Sequence, residues 1–179
     1  AARIGSYPHE FSCGIRQRVV IALALCAEPS LLIADEPTTA LDVSVQAQII
    51  ALLKQLCRER GTAVMLVTHD MGVIAEAVDR VAVMYAGRLA ELGPVREVLT
   101  QPAHPYTKGL MASTPLASRG LKRLKQIPGA MPPLNRLPAG CAFHPRCPQA
   151  ENVCRAAPDP TLETCGGRAA CWFAADETV

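Results

Sequence analysis

Two adjacent carboxylates, Asp35 and Glu36, end the apolar run Leu31-Leu32-Ile33-Ala34. A pair of this kind can hold a divalent metal and activate a water. A strand buried in a parallel sheet would deliver it to the carboxyl edge, where open α/β folds bind ligands. For a bare apolar-Asp-Glu pattern the plainer reading, a core strand running into an exposed acidic turn, is the favoured one. His69 ends a second apolar run, between Thr68 and Asp70. Taken alone it would be a structural histidine, but its place after a strand beside the acidic pair makes it a functional candidate. A third group lies far downstream. Cys141, Cys147, Cys154, Cys165 and Cys171 follow C-x5-C-x6-C-x10-C-x5-C within the last 39 residues. Thiols so dense suggest metal ligation, with disulfides and free thiols as the competing readings.

The elements that must position these groups can be read from the same sequence. Gly14 to Ala27 reads as a helix with apolar Ile15, Val19, Ala22 and Leu23, stopped by Pro29. Leu31 to Ala34 is too short and too continuously apolar for a surface helix, and so is a buried strand. Ser44 to Arg60 places Ile49, Ile50, Leu52, Leu53 and Leu56 on one helical face, with Gly61 where a left-handed cap belongs. Thr62 to Thr68 reads as a second buried strand, and Asp70 as the cap of a short helix reaching Val78. Arg80 to Tyr85 and Arg88 to Leu92 form a hairpin turned at Ala86-Gly87, where glycine supplies a positive φ. Strand, helix, strand, helix gives an α/β fold with a parallel sheet and right-handed crossovers.

Composition bounds the rest. The 179 residues carry a formal charge of +2, half are hydrophobic and 19% are charged, which fits a globular chain and provides no field to steer a polyanion. Nucleic acid is therefore not an expected partner. The basic cluster Arg119, Lys122, Arg123 and Lys125 reads as a solvated linker, with contact to acidic lipid or a membrane partner as the alternative. No apolar run reaches the roughly 18 residues of a spanning helix. Cys26 and Cys57 fall in helical apolar patterns and read as inert thiols. Eleven of the fifteen prolines lie at Gln101 or beyond, so residues 1–100 and 101–179 are expected to be an α/β part and a proline-rich, cysteine-bearing extension.

LLIADEPTTALD, Leu31 to Asp42, resembles the Walker B and D-loop segment of ABC-type ATPases. YPHEFSCGIRQRV, Tyr7 to Val19, resembles their signature loop, and MLVTHD, Met65 to Asp70, their switch histidine, all in the family's order. The resemblance implies a role for each position. Asp35 supports Mg2+, Glu36 polarises the attacking water, and His69 contacts the γ-phosphate of ATP. Asp42 communicates across an ATPase dimer, while Ser12 and Gly14 meet a phosphate carried by the partner subunit at a helix N-terminus. Cys13 replaces the first signature glycine, and Ile15 stands where a polar residue or methionine is usual. A side chain at position 13 restricts the backbone and crowds the phosphate, so a weakened signature is expected.

No lysine in the chain follows a glycine, so the phosphate-cradling G-x-x-x-x-G-K-[ST] loop is not among these residues. The expectation is part of an ABC-type P-loop ATPase domain, opening mid-domain, with sheet edges and apolar faces uncovered. Alone it should neither bind ATP tightly nor hydrolyse it, as a remnant or one piece of a split protein would not.

PAHPYTKGLMAS (Pro102 to Ser113), IPGAMPP (Ile127 to Pro133) and PAGCAFHPRCPQAENVC (Pro138 to Cys154) are similar to the carboxyl-terminal extension of oligopeptide and dipeptide importer ATP-binding subunits. The cytosolic setting that this implies disfavours disulfides. It implies a [4Fe-4S] cluster on Cys141, Cys147, Cys154 and Cys171, with Cys165 able to replace Cys171. Zn2+ is the alternative, although no tight C-x2-4-C pair is present. The partners implied are two membrane-spanning permease subunits, a second ATP-binding subunit and an extracytoplasmic peptide-binding protein. The place implied is the cytoplasmic face of the inner membrane. A nucleic-acid repair ATPase of the same superfamily is the competing class, opposed by the modest charge and the absence of a C-x2-C finger.

Overall fold

The computed structural model describes residues 5–39, 41–114, 126–156, 158–165 and 167–174. The basic cluster at Arg119, Lys122, Arg123 and Lys125 lies outside them. The chain forms two compact units, Ala1–Ala77 and Val78–Val179. Their division falls well before the compositional change near Thr100.

The first unit runs α1 (Cys13–Leu25), β1 (Leu31–Asp35), α2 (Val43–Arg60), β2 (Ala63–Val67) and α3 (Met71–Ala77). Local chemistry sets these limits. Asp42 caps α2, its carboxylate accepting from Val45 N at 2.9 Å, and Gly61 closes the helix at φ 66°, a left-handed conformation that glycine adopts without a Cβ penalty. Strands β1 and β2 pair in parallel, Leu31 opposite Ala63 through Asp35 opposite Val67. Helix α2 connects them as the crossover that parallel pairing requires. Ile21 and Leu25 of α1 pack with Ile49 and Leu53 of α2, joined by Leu32, Leu41, Val45 and Leu56.

Val19 and Leu23, two of the apolar residues read along α1, are exposed, whereas Ile21 and Leu25 are buried. Helix α1 is apolar nearly all round, so its own pattern cannot choose a face; contact with α2 chooses it. Likewise β1 and β2 are not buried on both sides. Leu32, Ala34, Val64 and Leu66 are half-buried, while Leu31, Ile33, Met65 and Val67 are exposed. One sheet face is thus uncovered among the described residues, in line with the uncovered apolar faces expected from the sequence.

The second unit opens with the antiparallel hairpin β3 (Arg80–Tyr85) and β4 (Arg88–Pro94). Its two-residue turn holds Ala86 at φ 49° and Gly87 at φ 79°, so both residues, not glycine alone, take the left-handed backbone that the turn demands. Residues 168–170 run beside β4 through bonds from Leu92 N to Arg168 O and from Ala170 N to Ala90 O. Helices α4 (Val95–Thr100), α5 (Pro105–Ala112) and α6 (Asn152–Ala156) complete this unit. Its core is aromatic: Tyr85, Tyr106 and Phe143 meet with ring centroids 4.7 to 5.5 Å apart. Glu91 is wholly buried, and its two oxygens accept from Ala103 N at 2.8 Å and His104 N at 3.0 Å, with Arg168 Nε 3.9 Å away. A carboxylate can be enclosed in this way only because amides and a guanidinium meet it.

Candidate functional site

In-register parallel strands explain why Glu36 and His69 meet. Asp35 and Val67 are partners at the last position of the ladder, and Glu36 N donates to Val67 O at 2.8 Å. The residues just beyond each strand therefore reach one edge. There His69 Nδ1 lies 2.9 Å from Glu36 Oε1, the expected acidic group and the expected histidine in direct contact. Both side chains are solvent-accessible, and Asp35 beside them is exposed.

Glu36 is held firmly for an exposed residue. Its backbone sits at φ 43°, a strained conformation for a residue with a Cβ, of the kind found where function fixes the chain. Thr39 Oγ1 donates to Glu36 Oε2 at 2.8 Å. The Thr39 hydroxyl first, and then His69, hold the Glu36 carboxyl below the usual carboxylate range. It is thus an acceptor-only group at neutral pH, able to orient a water. With Glu36 ionised, the proton between them resides on His69 Nδ1.

Asp42 and Asp70 are also charged and fixed. The Ser44 hydroxyl and the Val45 amide hold the Asp42 carboxyl low as it caps α2. Gln46 Nε2 donates to Asp70 Oδ2 at 2.9 Å and is the main cause of the lowered Asp70 carboxyl. The other oxygen, Oδ1, accepts from Gly72 N at 2.8 Å and starts α3. Thr39 and Gln46 are functional neighbours that the sequence reading missed. Their signals differ: Thr39 lies three residues after Glu36 within the same motif, whereas Gln46 reaches Asp70 across 24 residues of sequence.

Ser12 and Gly14 stand at the start of α1. Ser12 has the extended backbone of a cap, with φ −62° and ψ 156°, but its hydroxyl makes no capping bond. Gly14 has a packing role as well. A Cβ there would meet Val45 Cγ1 at 2.7 Å, so glycine lets the start of α1 approach the first turn of α2. Cys13, in the altered position, is exposed.

The five clustered cysteines, from Cys141 to Cys171, lie in the second unit. Cys141 and Cys147 pack on its aromatic core, Cys154 is buried, and Cys141 N donates to Cys154 O at 2.9 Å. Burial, with Cys154 and Cys171 among the neighbours, pushes the Cys141 thiol up to about 11. Burial likewise raises Cys147, aided by Cys154, and Cys171, aided by Cys147, Cys154 and Cys165. The four expected ligands and Cys165 therefore share a neighbourhood. Yet among the described residues no three His, Cys, Asp or Glu side chains form a group that could hold a metal ion. The expected centre, whether zinc or cluster, is thus not preformed among the described residues, where Cys141 and Cys147 pack on the apolar core. A cavity of about 530 Å3 lined by Lys108, Glu151, Cys171 and Phe173 opens onto one of them.

The chain matches two described families, the ABC transporter over residues 1–39 and the oligopeptide/dipeptide transporter C-terminal region over residues 90–154. It is 54% identical over 178 residues to an oligopeptide transport ATP-binding protein of Salmonella typhimurium, covering 99% of this chain and 53% of that protein. It is 50% identical to a dipeptide transport ATP-binding protein of Bacillus subtilis, covering 96% of this chain and 51% of that one. The chain thus spans about half the length of the curated relatives it matches. Among solved structures it resembles cbiO1 of Clostridium perfringens, part of an ABC transporter complex, at 37% identity and a TM-score of 0.50, covering 52% of this chain and 38% of that chain. The α/β architecture is that of part of an ABC ATPase domain, and the resemblance read from the motifs holds along nearly the whole sequence. No helix among the described residues is long and apolar enough to cross a membrane.

Proposed function

We propose that this chain is part of the energy-coupling ATP-binding subunit of an ABC transporter importing di- or oligopeptides, and that its hydrolytic residues act together with a phosphate loop that is not among these 179 residues. The observation that carries this is the 2.9 Å contact of Glu36 with His69 at one sheet edge, in a sequence similar along its length to peptide-transport ATP-binding proteins. Phosphoryl transfer to water asks for positioning and charge neutralisation. Bound Mg2+ neutralises the triphosphate, and the exposed Asp35 carboxylate suits such a hard cation. Glu36 accepts from the attacking water, and His69 contacts the γ-phosphate. Ser12 and Gly14 face a phosphate on a second ATP-binding subunit, and Asp42 links the two sites.

In this reading the subunit is peripheral, on the cytoplasmic face of the inner membrane. It works beneath two membrane-spanning permease subunits, with an extracytoplasmic peptide-binding protein delivering substrate and without nucleic acid. Co-expression with the permease subunits and a fragment carrying the phosphate loop should restore peptide uptake into vesicles. Complex formation without turnover would instead assign a docking role.

The cysteine module belongs to the proposal in a narrower form. Cys141, Cys147, Cys154 and Cys171, with Cys165 as the alternative fourth, are the donors for a [4Fe-4S] cluster, or for zinc, after the thiols shift from their present packing. Support comes from their shared neighbourhood and all-thiol chemistry. Reconstitution with iron and sulfide, followed by assay of labile sulfide, tests it; zinc uptake without sulfide would exclude the cluster.

A further inference from the structure

We infer that Gln46 is a positioning residue for His69, tying the loop that carries the histidine to the first turn of α2. This rests on the reading of Glu36 and His69 as the hydrolytic pair. The connection is direct. Gln46 Nε2 donates to Asp70 Oδ2 at 2.9 Å across 24 residues of sequence, and both groups are half-buried. Asp70 follows His69 immediately, and its backbone N donates to Thr68 Oγ1 at 3.1 Å. Its second oxygen accepts from Gly72 N and Val73 N, at 2.8 and 3.3 Å. The residue after the histidine is therefore fixed on every side, and Gln46 supplies the only anchor from another element among these bonds.

The same turn of α2 meets two other motif residues. Asp42 caps it through Val45 N, and the Val45 side chain occupies the space that a Cβ on Gly14 would need. Within one helical turn the chain joins the D-loop residue, the signature glycine and the switch loop. A fixed joint of this kind places His69 relative to Glu36, which is held separately by its strained backbone and Thr39. Gln46 does not touch the reacting groups; it sets where one of them stands.

The substitutions Gln46→Leu and Gln46→Arg separate positioning from mere helix packing. Both residues are strong helix formers, and only arginine can still donate to Asp70. The full 179-residue chain is followed by NMR without nucleotide, reading the Asp70 side-chain carboxyl carbon through a titration and, at one neutral pH, the His69 ring chemical shifts and the contacts of that ring with its neighbours. The charged group acting on Asp70 is His69. In Gln46→Leu the Asp70 carboxyl should titrate higher than in the unsubstituted chain and the His69 ring should change its shifts and contacts, and Gln46→Arg should return both. An Asp70 shift in Gln46→Leu with the His69 ring unmoved would overturn the inference and leave Gln46 a tether of α3 alone. Because no ATP is used, this outcome is independent of whether the assembled protein hydrolyses it.

Discussion

At Glu36, backbone strain, two side-chain bonds and a sheet edge converge. The Thr39 hydroxyl is the main cause of its lowered carboxyl, so Thr39→Val should move Glu36 up toward the ordinary range, read by carboxyl NMR. The sign is that of a depressed acid: the stabilisation from its charged form is complete above the unfolded-state value and is lost as pH falls through the lowered one. His104 shows the opposite chemistry in the second unit. Burial lowers it from 6.5 to about 4, and its Nδ1 accepts from Tyr106 N at 3.0 Å, a bond that only the unprotonated atom can make. The unfolded chain therefore binds the proton more tightly, and stability should fall by on the order of 3 kcal/mol as pH drops from about 6.5 toward about 4. Chemical denaturation of His104→Asn, which keeps a capping oxygen without the titration, should show a flatter profile in that window. Asp35, Glu36 and His69 were legible because strand ends announce themselves in sequence. Gln46 was not, since nothing local in its position tells which carboxylate it will reach, while Thr39, three residues after Glu36, was within reach of a local reading of the turn.

Helices and strands were legible to within a residue or two where local chemistry decides, as in α2 between Asp42 and Gly61 or β1 before Asp35. Which faces they bury was less legible, because partners decide that. Helix α1 offers apolar residues in most directions, and only the packing of Ile21 and Leu25 on Ile49 and Leu53 selects its inner face. The close approach of α1 to α2 gives a test at this scale. Gly14→Ala places a methyl group 2.7 Å from Val45 Cγ1 and should cost about 1–3 kcal/mol in urea denaturation. Adding Val45→Ala should recover most of that loss. Failure of the second substitution to recover stability would place the role of Gly14 outside packing.

Across the whole chain, composition located a proline-rich extension, and contacts place the β3–β4 hairpin with it in the second unit. Thiol spacing showed which cysteines belong together, whereas their packing against the core could not be read from spacing. Buried thiols that hold their protons make any thiolate centre dependent on pH. Reconstitution with iron and sulfide should rise steeply from pH 6.5 to 8, about tenfold per displaced proton per pH unit. The central claim is that the Glu36–His69 pair performs hydrolysis once a phosphate loop is provided. The most direct measurement is phosphate release from Mg2+-ATP by the 179-residue chain alone, and by the chain joined with a fragment carrying that loop, each with and without Glu36→Gln. The account predicts no turnover by the chain alone, turnover by the joined pair, and a loss of at least about 100-fold with Glu36→Gln. Turnover by the chain alone, or by the joined pair irrespective of Glu36, would contradict it.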